Sequence, residues 1–168
     1  PAPRPHLRLR LGGLPGREEA TGRGVATVTK LLSEKNGLDP KKTTIAIQGF
    51  GNVSQYAAKL YEQLGGKVVC VSCWDQADKT SYTYKKKSGI DVDELLSITD
   101  KFGGIDKNKA RDLGYEQLHG DAWLEQEVDI LLPSALENQI NRDNVDKIHS
   151  RVKFIAEGAN GPTTPEAD

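Results

Sequence analysis

Cysteine, net charge and long apolar runs are all scarce in this sequence. Two cysteines among 168 residues are too few for a disulfide scaffold and suit a reducing cytoplasm. Lysine and arginine total 23 against 24 aspartates and glutamates, a formal net charge of −1. That balance removes any electrostatic case for nucleic acid or an anionic membrane as partner. No apolar run approaches the roughly 20 residues of a membrane-spanning helix. Residues 1–16 mix proline, arginine and glycine without the apolar centre of a signal peptide. Internal repeats and low-complexity tracts are absent as well.

What is present suffices for one globular domain: 36% of residues are hydrophobic and 28% charged. The two cysteines form a Cys-x-x-Cys pattern, Cys70 to Cys73. It falls within or just after an apolar, strand-like run, where positions i and i+3 point to opposite faces. A redox pair needs a helix N-terminus and a zinc site needs a second pair, so the spacing predicts two structural cysteines.

Residues 1–11, with Pro1, Pro3 and Pro5, show no periodicity and are expected to be irregular. From Glu18 to about Lys35, Val25, Val28, Leu31 and Leu32 keep a helical period, and Asn36-Gly37 ends the helix. Gly22 and Gly24 reduce helix propensity in its first turns, so some other demand must favour small residues there. Thr43–Gln48 is a β-branched run fit for a buried strand. Val53, Tyr56, Ala57, Leu60 and Leu64 then mark one face of a helix that Gly65-Gly66 stops, and Lys67–Ser72 is a second strand. Strand, tight turn, helix and strand make a βαβ unit with parallel strands.

Between about Trp74 and Glu127 the chain is polar and turn-rich. Within it Asp91 and Glu94 predict a capped short helix, and Asp106–Leu113 a second. Lys85-Lys86-Lys87 reads as a solvated loop. Val128–Leu132 is a third buried strand stopped by Pro133, Asn141–His149 a helix, and Val152–Ala156 a further strand. The alternation predicts an α/β fold: a Rossmann-like, doubly wound, mostly parallel sheet in three αβα layers.

Such a sheet takes ligands at the carboxyl ends of its strands, so the first strand-to-helix turn is the place to look. Gly49-Phe50-Gly51-Asn52-Val53 occupies it. Gly49 suits the tight turn, and Gly51 lets the backbone approach a pyrophosphate at the helix N-terminus. Ser54 stands where the dinucleotide fingerprint places a third glycine or alanine, a departure small enough for close packing. The alternative is a structural glycine turn in an unrelated α/β protein. Asp75 is the first carboxylate past the second strand, near the roughly 20-residue spacing of the residue that binds an adenosine ribose. A carboxylate there repels a 2′-phosphate and no arginine lies nearby, which favours NAD, with NADP possible because Lys79 could offset one charge.

Four segments carry a family resemblance. Gly16-Arg17-Glu18-Glu19-Ala20-Thr21-Gly22-Arg23-Gly24, Ile47–Val53, Asp129–Ile140 and Ala156–Asp168 together resemble the glutamate dehydrogenases, over about residue 12 to the end. Leucine, phenylalanine and valine dehydrogenases share the architecture but read less like this chain. The resemblance implies oxidative deamination of L-glutamate to 2-oxoglutarate and ammonia, with hydride passing to NAD(P), in a homohexameric parent. It places Thr21 at the nicotinamide carboxamide, Gly49–Val53 at the pyrophosphate, Ala135 and Asn160 beside the nicotinamide and its ribose, and Arg17 on the substrate side. The bland alternatives are that Thr21 back-bonds within its helix and that Asn160-Gly161-Pro162 is only a turn.

Besides Ser54, two departures stand out. The second strand ends Ser72-Cys73 where the family often has Ser-Asp, which leaves the coenzyme-selecting residue open. Leu14-Pro15 replaces the family's Ser-Leu, and residues 1–11 match nothing. The family's catalytic lysine and aspartate belong to a separate domain whose motifs do not occur here. The chain is therefore expected to be inactive alone, a cofactor-binding piece of a larger enzyme. The competing expectations are a stand-alone nucleotide-binding regulatory module and a domain of another L-amino-acid dehydrogenase.

Overall fold

The computed structural model describes residues 16, 17 and 19–168; the segment 1–11, expected to be irregular, and Glu18 lie outside them. The elements in order are α1 (Ala20–Lys35), β1 (Thr44–Gln48), α2 (Asn52–Gln63), β2 (Lys67–Asp75), β3 (Thr80–Lys85), α3 (Val92–Ser97), α4 (Lys107–Asp112), β4 (Glu116–His119), β5 (Ile130–Pro133) and β6 (Phe154–Ile155). Two 3-10 turns, Gly120–Trp123 and Val145–Lys147, complete them.

The sheet runs β4-β3-β2-β1-β5-β6. β2, β1, β5 and β6 are mutually parallel, whereas β3 and β4 add an antiparallel edge. The doubly wound, mostly parallel expectation holds. Alternation along the strands sends side chains to two cores. Ile45, Ile47, Val71, Ile130 and Leu132 join Ala57, Tyr61, Leu95 and Ala110 on the face that carries the α-helices. Ala46, Cys70 and Leu131 join Trp123, Leu124 and Ile140 on the other. That second face is covered by the 3-10 turns and irregular chain, which form its third layer. A register shift at Ile45/Ala46 puts one extra β2 residue opposite β1. No helix among the described residues is long and apolar enough to cross a membrane.

Several expectations change. The apolar stripe of α1 is split: Val25 packs against the core and Leu32 is half-buried, but Val28 and Leu31 are 52% and 56% exposed, while Gly22, Ala26, Thr29 and Ser33 are buried. Thr29 and Ser33 satisfy their hydroxyls on the carbonyls of Val25 and Thr29, so they are buried beside Ala26 with no polar group left unpaired. Gly22 is explained by this packing, since a Cβ there would sit 2.6 Å from Tyr56 Cβ and from the Val53 carbonyl oxygen of α2. Gly24 meets nothing within 4 Å, and no packing accounts for it. The α2 face turned to the sheet is Ser54, Ala57, Ala58 and Tyr61. Val53, Tyr56 and Leu60 lie only half-buried beside it.

The segment after β2 contains the hairpin strand β3 and the edge strand β4, neither anticipated. Thr-Ser-Tyr-Thr-Tyr-Lys is β-prone, and its alternation buries Tyr84 in the helical-face core while Thr83 donates to the Gly120 carbonyl on the other face. The lysine run is not simply solvated. Lys85 ends β3 and reaches Gln126 at 2.7 Å; Lys86 pairs with Glu94 at 2.7 Å and lies 4.8 Å over the Tyr115 ring. Lys87 is exposed. The Asn141–His149 helix reduces to the single turn Val145–Lys147. Asn144 Oδ1 accepts from Asn141 N–H and Asn141 Oδ1 from Asp143 N–H, side-chain bonds that compete with a helix start.

The two predicted short helices form as α3 and α4, capped by Asp91 and Asp106, whose carboxylates accept from the Glu94 amide and from the Asn108 and Lys109 amides. The amino end of the sheet is tied by Asp129, 7% exposed. Its Oδ2 accepts from Thr44 N–H and Oγ1–H, both at 2.8 Å, and its Oδ1 from Arg151 Nε at 3.0 Å.

Candidate functional site

The carboxyl ends of β1, β2 and β5 open into a cleft of about 1330 Å³. That exceeds the roughly 300–1,000 Å³ of a drug-sized site and leaves room for an extended ligand. One wall is Gly49, Phe50 and Gly51 with Ser134, Ala135 and Leu136; a second is Cys73–Ala77; a third is the stretch Ser97–Asp106, with Lys109.

The two glycines of the turn answer different demands. Gly49 has φ +90, donates its N–H to the Ser72 carbonyl at 2.7 Å, and would place a Cβ 2.9 Å from Ala135 Cβ. The fold itself requires glycine there. Gly51 has ordinary extended geometry, φ −82 and ψ −169, and a Cβ on it would meet no atom within 4 Å. Neither backbone nor packing requires glycine at 51, so what it preserves is open space at the amino end of a 12-residue helix. A pyrophosphate fits that space, where the helix dipole and backbone amides favour negative charge. Phe50, 2% exposed, anchors the turn in the core, and Gln55 Nε2 holds its carbonyl at 2.6 Å. Ser54 is fully buried and donates to the Gly51 carbonyl at 3.0 Å, so the departure from glycine is absorbed locally.

Asp75 closes β2. Its Oδ1 accepts from the Ala77 and Asp78 amides, both at 2.8 Å, which turns the chain into β3. Its Oδ2 lies 3.7 Å from Lys107 Nζ, which also contacts Asp78 Oδ2 at 2.5 Å; Tyr82 OH donates to the same Asp78 oxygen at 2.8 Å. The Lys107 bond, then the Tyr82 bond, hold the Asp78 carboxyl below its usual range, and the bond to Asp78 raises the Lys107 ammonium. Lys79, the cation anticipated beside Asp75, is exposed in the turn with φ +54. Lys107 comes from α4, and nothing in the local sequence around Asp75 points to it.

Of the residues singled out from sequence, the cleft lining brings together Gly49, Phe50, Gly51, Asp75 and Ala135. Asn52 and Val53 form the adjoining first turn of α2 and are not part of the lining. Asn160 is exposed on a segment bound beside the end of β5: Gly158 and Ala159 amides reach the Pro133 carbonyl at 2.8 and 3.1 Å, and the Asn138 amide reaches Gly161 at 3.0 Å. Gly158 is needed for that approach, since a Cβ would fall 2.2 Å from Ser134 Oγ. Thr21 and Arg17 are exposed at and before the start of α1, outside the lining. The stretch Ser97–Asp106 was missed because its residues have no periodicity and reach the cleft only by tertiary packing. The cysteines lie on opposite faces, both buried, and burial pushes the Cys70 thiol up to about 12 and Cys73 up to about 11. No cluster of three or more metal-ligating side chains occurs among the described residues.

Residues 12–168 match the family model described as glutamate/leucine/phenylalanine/valine dehydrogenase. A glutamate dehydrogenase of Thermotoga maritima is 46% identical over 161 residues, 95% of this chain and 36% of that protein. An NAD-specific glutamate dehydrogenase of Peptoniphilus asaccharolyticus is 38% identical over 157 residues, 94% of this chain and 36% of that protein. The chain thus spans about a third of the length of these relatives. Among solved structures, glutamate dehydrogenase from Peptoniphilus asaccharolyticus superposes with a TM-score of 0.71 at 35% identity, over 95% of this chain and 33% of that one. A hetero-hexameric glutamate dehydrogenase from Thermus thermophilus gives 0.77 at 27%, over 98% of this chain and 35% of that one.

Proposed function

The chain belongs to the glutamate/leucine/phenylalanine/valine dehydrogenase family, and from that premise we propose that residues 12–168 are the NAD(P)-binding, Rossmann-like domain of a glutamate dehydrogenase. The parent enzyme oxidatively deaminates L-glutamate to 2-oxoglutarate and ammonia, as a cytoplasmic homohexamer. The bound dinucleotide supplies the hydride acceptor; this chain's residues hold and orient it.

The observation that carries this reading is the space before Gly51, which no atom of the described residues fills and no backbone demand explains. The pyrophosphate lies there, on the amino end of α2. Gly49–Val53 bring the backbone against it. Asp75 receives the adenosine ribose with the oxygen that its turn amides leave open. Ala135, packed on Gly49, borders the nicotinamide half, with Thr21 and Asn160 on that side and Arg17 toward substrate. Asp75 favours NAD; Lys107, 3.7 Å away, weakens its repulsion of a 2′-phosphate and keeps NADP within reach.

The charged side chains that line the cleft are Asp75, Asp100, Asp106 and Lys109, all from the walls at the Asp75 end. Among the described residues the wall at Ala135 holds none to act as general acid or base on a substrate amine, which supports the expectation that the chain alone does not turn over. Calorimetric titration with NADH and NADPH tests the reading. Saturable NADH binding that Gly51→Val abolishes, without turnover of glutamate, is expected. Undiminished binding by Gly51→Val would remove the pyrophosphate from the turn.

A further inference from the structure

Five large hydrophobic side chains are exposed among the described residues: Val28, Leu31, Trp74, Phe102 and Leu136. Val28 and Leu31 lie on α1, and the other three all line the cleft. Phe102 is the most exposed of the five, at 81%. Its position is not that of a loosely held loop tip. Asp100 Oδ1 accepts from the Phe102 amide at 2.7 Å and the Gly104 amide at 2.9 Å. The Asp100 amide donates to the Gly104 carbonyl at 2.8 Å, and Thr99 and Ile105 bridge across the base of the loop. The loop is also seated on the phosphate turn. Gly103, at φ +88, comes so near that a Cβ would fall 2.6 Å from the Phe50 carbonyl oxygen and 3.1 Å from Gly51 N. A tightly bonded loop thus holds an aromatic ring out at the cleft, next to the turn.

Resting on the reading of the cleft as a dinucleotide site, we propose that Phe102 is a binding and specificity residue whose ring stacks on the adenine base. The carboxylate at the end of the second strand belongs with the adenosine ribose, and the base extends one glycosidic bond beyond it. The walls at that end contribute Trp74, Asp75, Gln76 and Ala77 on one side and Ser97–Asp106 on the other. Most of these side chains are polar or small. The large apolar side chains of the Ser97–Asp106 wall are Ile98, Phe102 and Ile105. Ile105 is buried and Ile98 is packed against the core, so Phe102 is the one on that wall that offers a face to a planar base. Across from it, on the Asp75 wall, is Trp74, whose Nε1 donates to Gln76 Oε1 at 3.1 Å. Lys101 Nζ lies 4.9 Å from the Phe102 ring centroid and adds a cation beside the stack.

The test divides the cofactor into halves. The 15N-labelled chain is titrated to millimolar 5′-AMP, nicotinamide mononucleotide and NADH, with amide shifts as readout of both binding and folding. In the wild type, 5′-AMP is expected to shift the amides of Lys101, Phe102 and Gly103 through the adenine ring current, and the mononucleotide is not. Phe102→Ala weakens 5′-AMP and NADH about ten-fold, the loss of one base–aromatic stack, and leaves the mononucleotide unchanged; Phe102→Trp retains 5′-AMP affinity. A Phe102→Ala chain that binds 5′-AMP as well as wild type, or loses both halves equally, overturns the assignment while the dinucleotide site stands. A folded wild type unmoved by all three ligands overturns the cofactor reading and this inference with it.

Discussion

Lys107 Nζ sits 3.7 Å from Asp75 Oδ2, so the carboxylate at the end of the second strand faces a cation from a helix far along the chain. Asp75 spends its other oxygen on two turn amides. The pair therefore leaves one carboxylate oxygen free of the turn amides, beside a cation.

Coenzyme preference is expected to follow that pair. Lys107→Met lowers NADPH affinity roughly three- to ten-fold through the lost charge on a phosphate and changes NADH little. Asp75→Ser shifts the ratio the other way. Parallel titrations at low and moderate salt check both, and an unchanged NADPH/NADH ratio in Lys107→Met would show that the cation does not face the 2′ position.

Gly49 and Gly51 are expected to separate stability from binding. Gly49→Ala forces a side chain into φ +90 against Ala135 and costs about 1–3 kcal/mol. Gly51→Ala has an allowed backbone and open space, so its stability stays within about 1 kcal/mol of wild type, yet it loses dinucleotide affinity. Denaturant unfolding beside NADH titration distinguishes them. Equal destabilisation by both would assign Gly51 a structural role.

Acid is expected to loosen the amino end of the sheet through Asp129. Burial pushes its carboxyl up, but the Thr44 hydroxyl and amide and the Arg151 guanidinium outweigh that and hold it below the usual range. With the folded pKa depressed, the stabilisation is fully present above the unfolded value of about 3.9 and disappears as pH falls through the folded value. Asp129→Asn should flatten that part of the stability profile between pH 5 and 2 on the order of the shift. A profile identical to wild type would mean the carboxylate's charge is immaterial.

The cysteines are expected to be inert in the folded chain. With thiols pushed up to about 12 and about 11 by burial, thiolate is scarce at pH 8. Iodoacetamide labels neither until denaturant unfolds the protein, as mass spectrometry would show. Labelling or Cys70–Cys73 oxidation under native conditions would contradict the opposite-face placement.

Val28→Ser and Leu31→Ser are expected to change this chain's stability by no more than about 0.5 kcal/mol each, because both side chains face solvent. A loss of the 2–5 kcal/mol typical of truncated core residues would restore the burial that periodicity alone suggested.

The buried face of α1 shows where local pattern stops being informative. Hydrophobic periodicity locates a helix, and Ala20–Lys35 forms close to where the pattern places it. Which face is buried depends on the neighbour, and α2 accepts the glycine, alanine and hydroxyl face because close approach of the two helices excludes larger groups. The β3–β4 edge was hidden for a related reason. A polar edge strand has one partner and one covered face, so its alternation is diluted by lysine and turn residues.

By itself the sequence determined the βαβ unit, the glycine turn at its centre, the carboxylate at the end of the second strand and the two capped short helices. Each rests on interactions among residues near in the chain, such as backbone φ, capping bonds and strand propensity. Tertiary structure alone decided that Ala135 packs on Gly49, that Lys107 faces Asp75, and that Phe102 stands at the mouth of the cleft. Those pairs meet only because the sheet order brings β5 beside β1 and carries the Ser97–Asp106 wall to the carboxyl end of β2. A long-range contact of that kind costs chain entropy that only the completed fold offsets, so no local signal marks it.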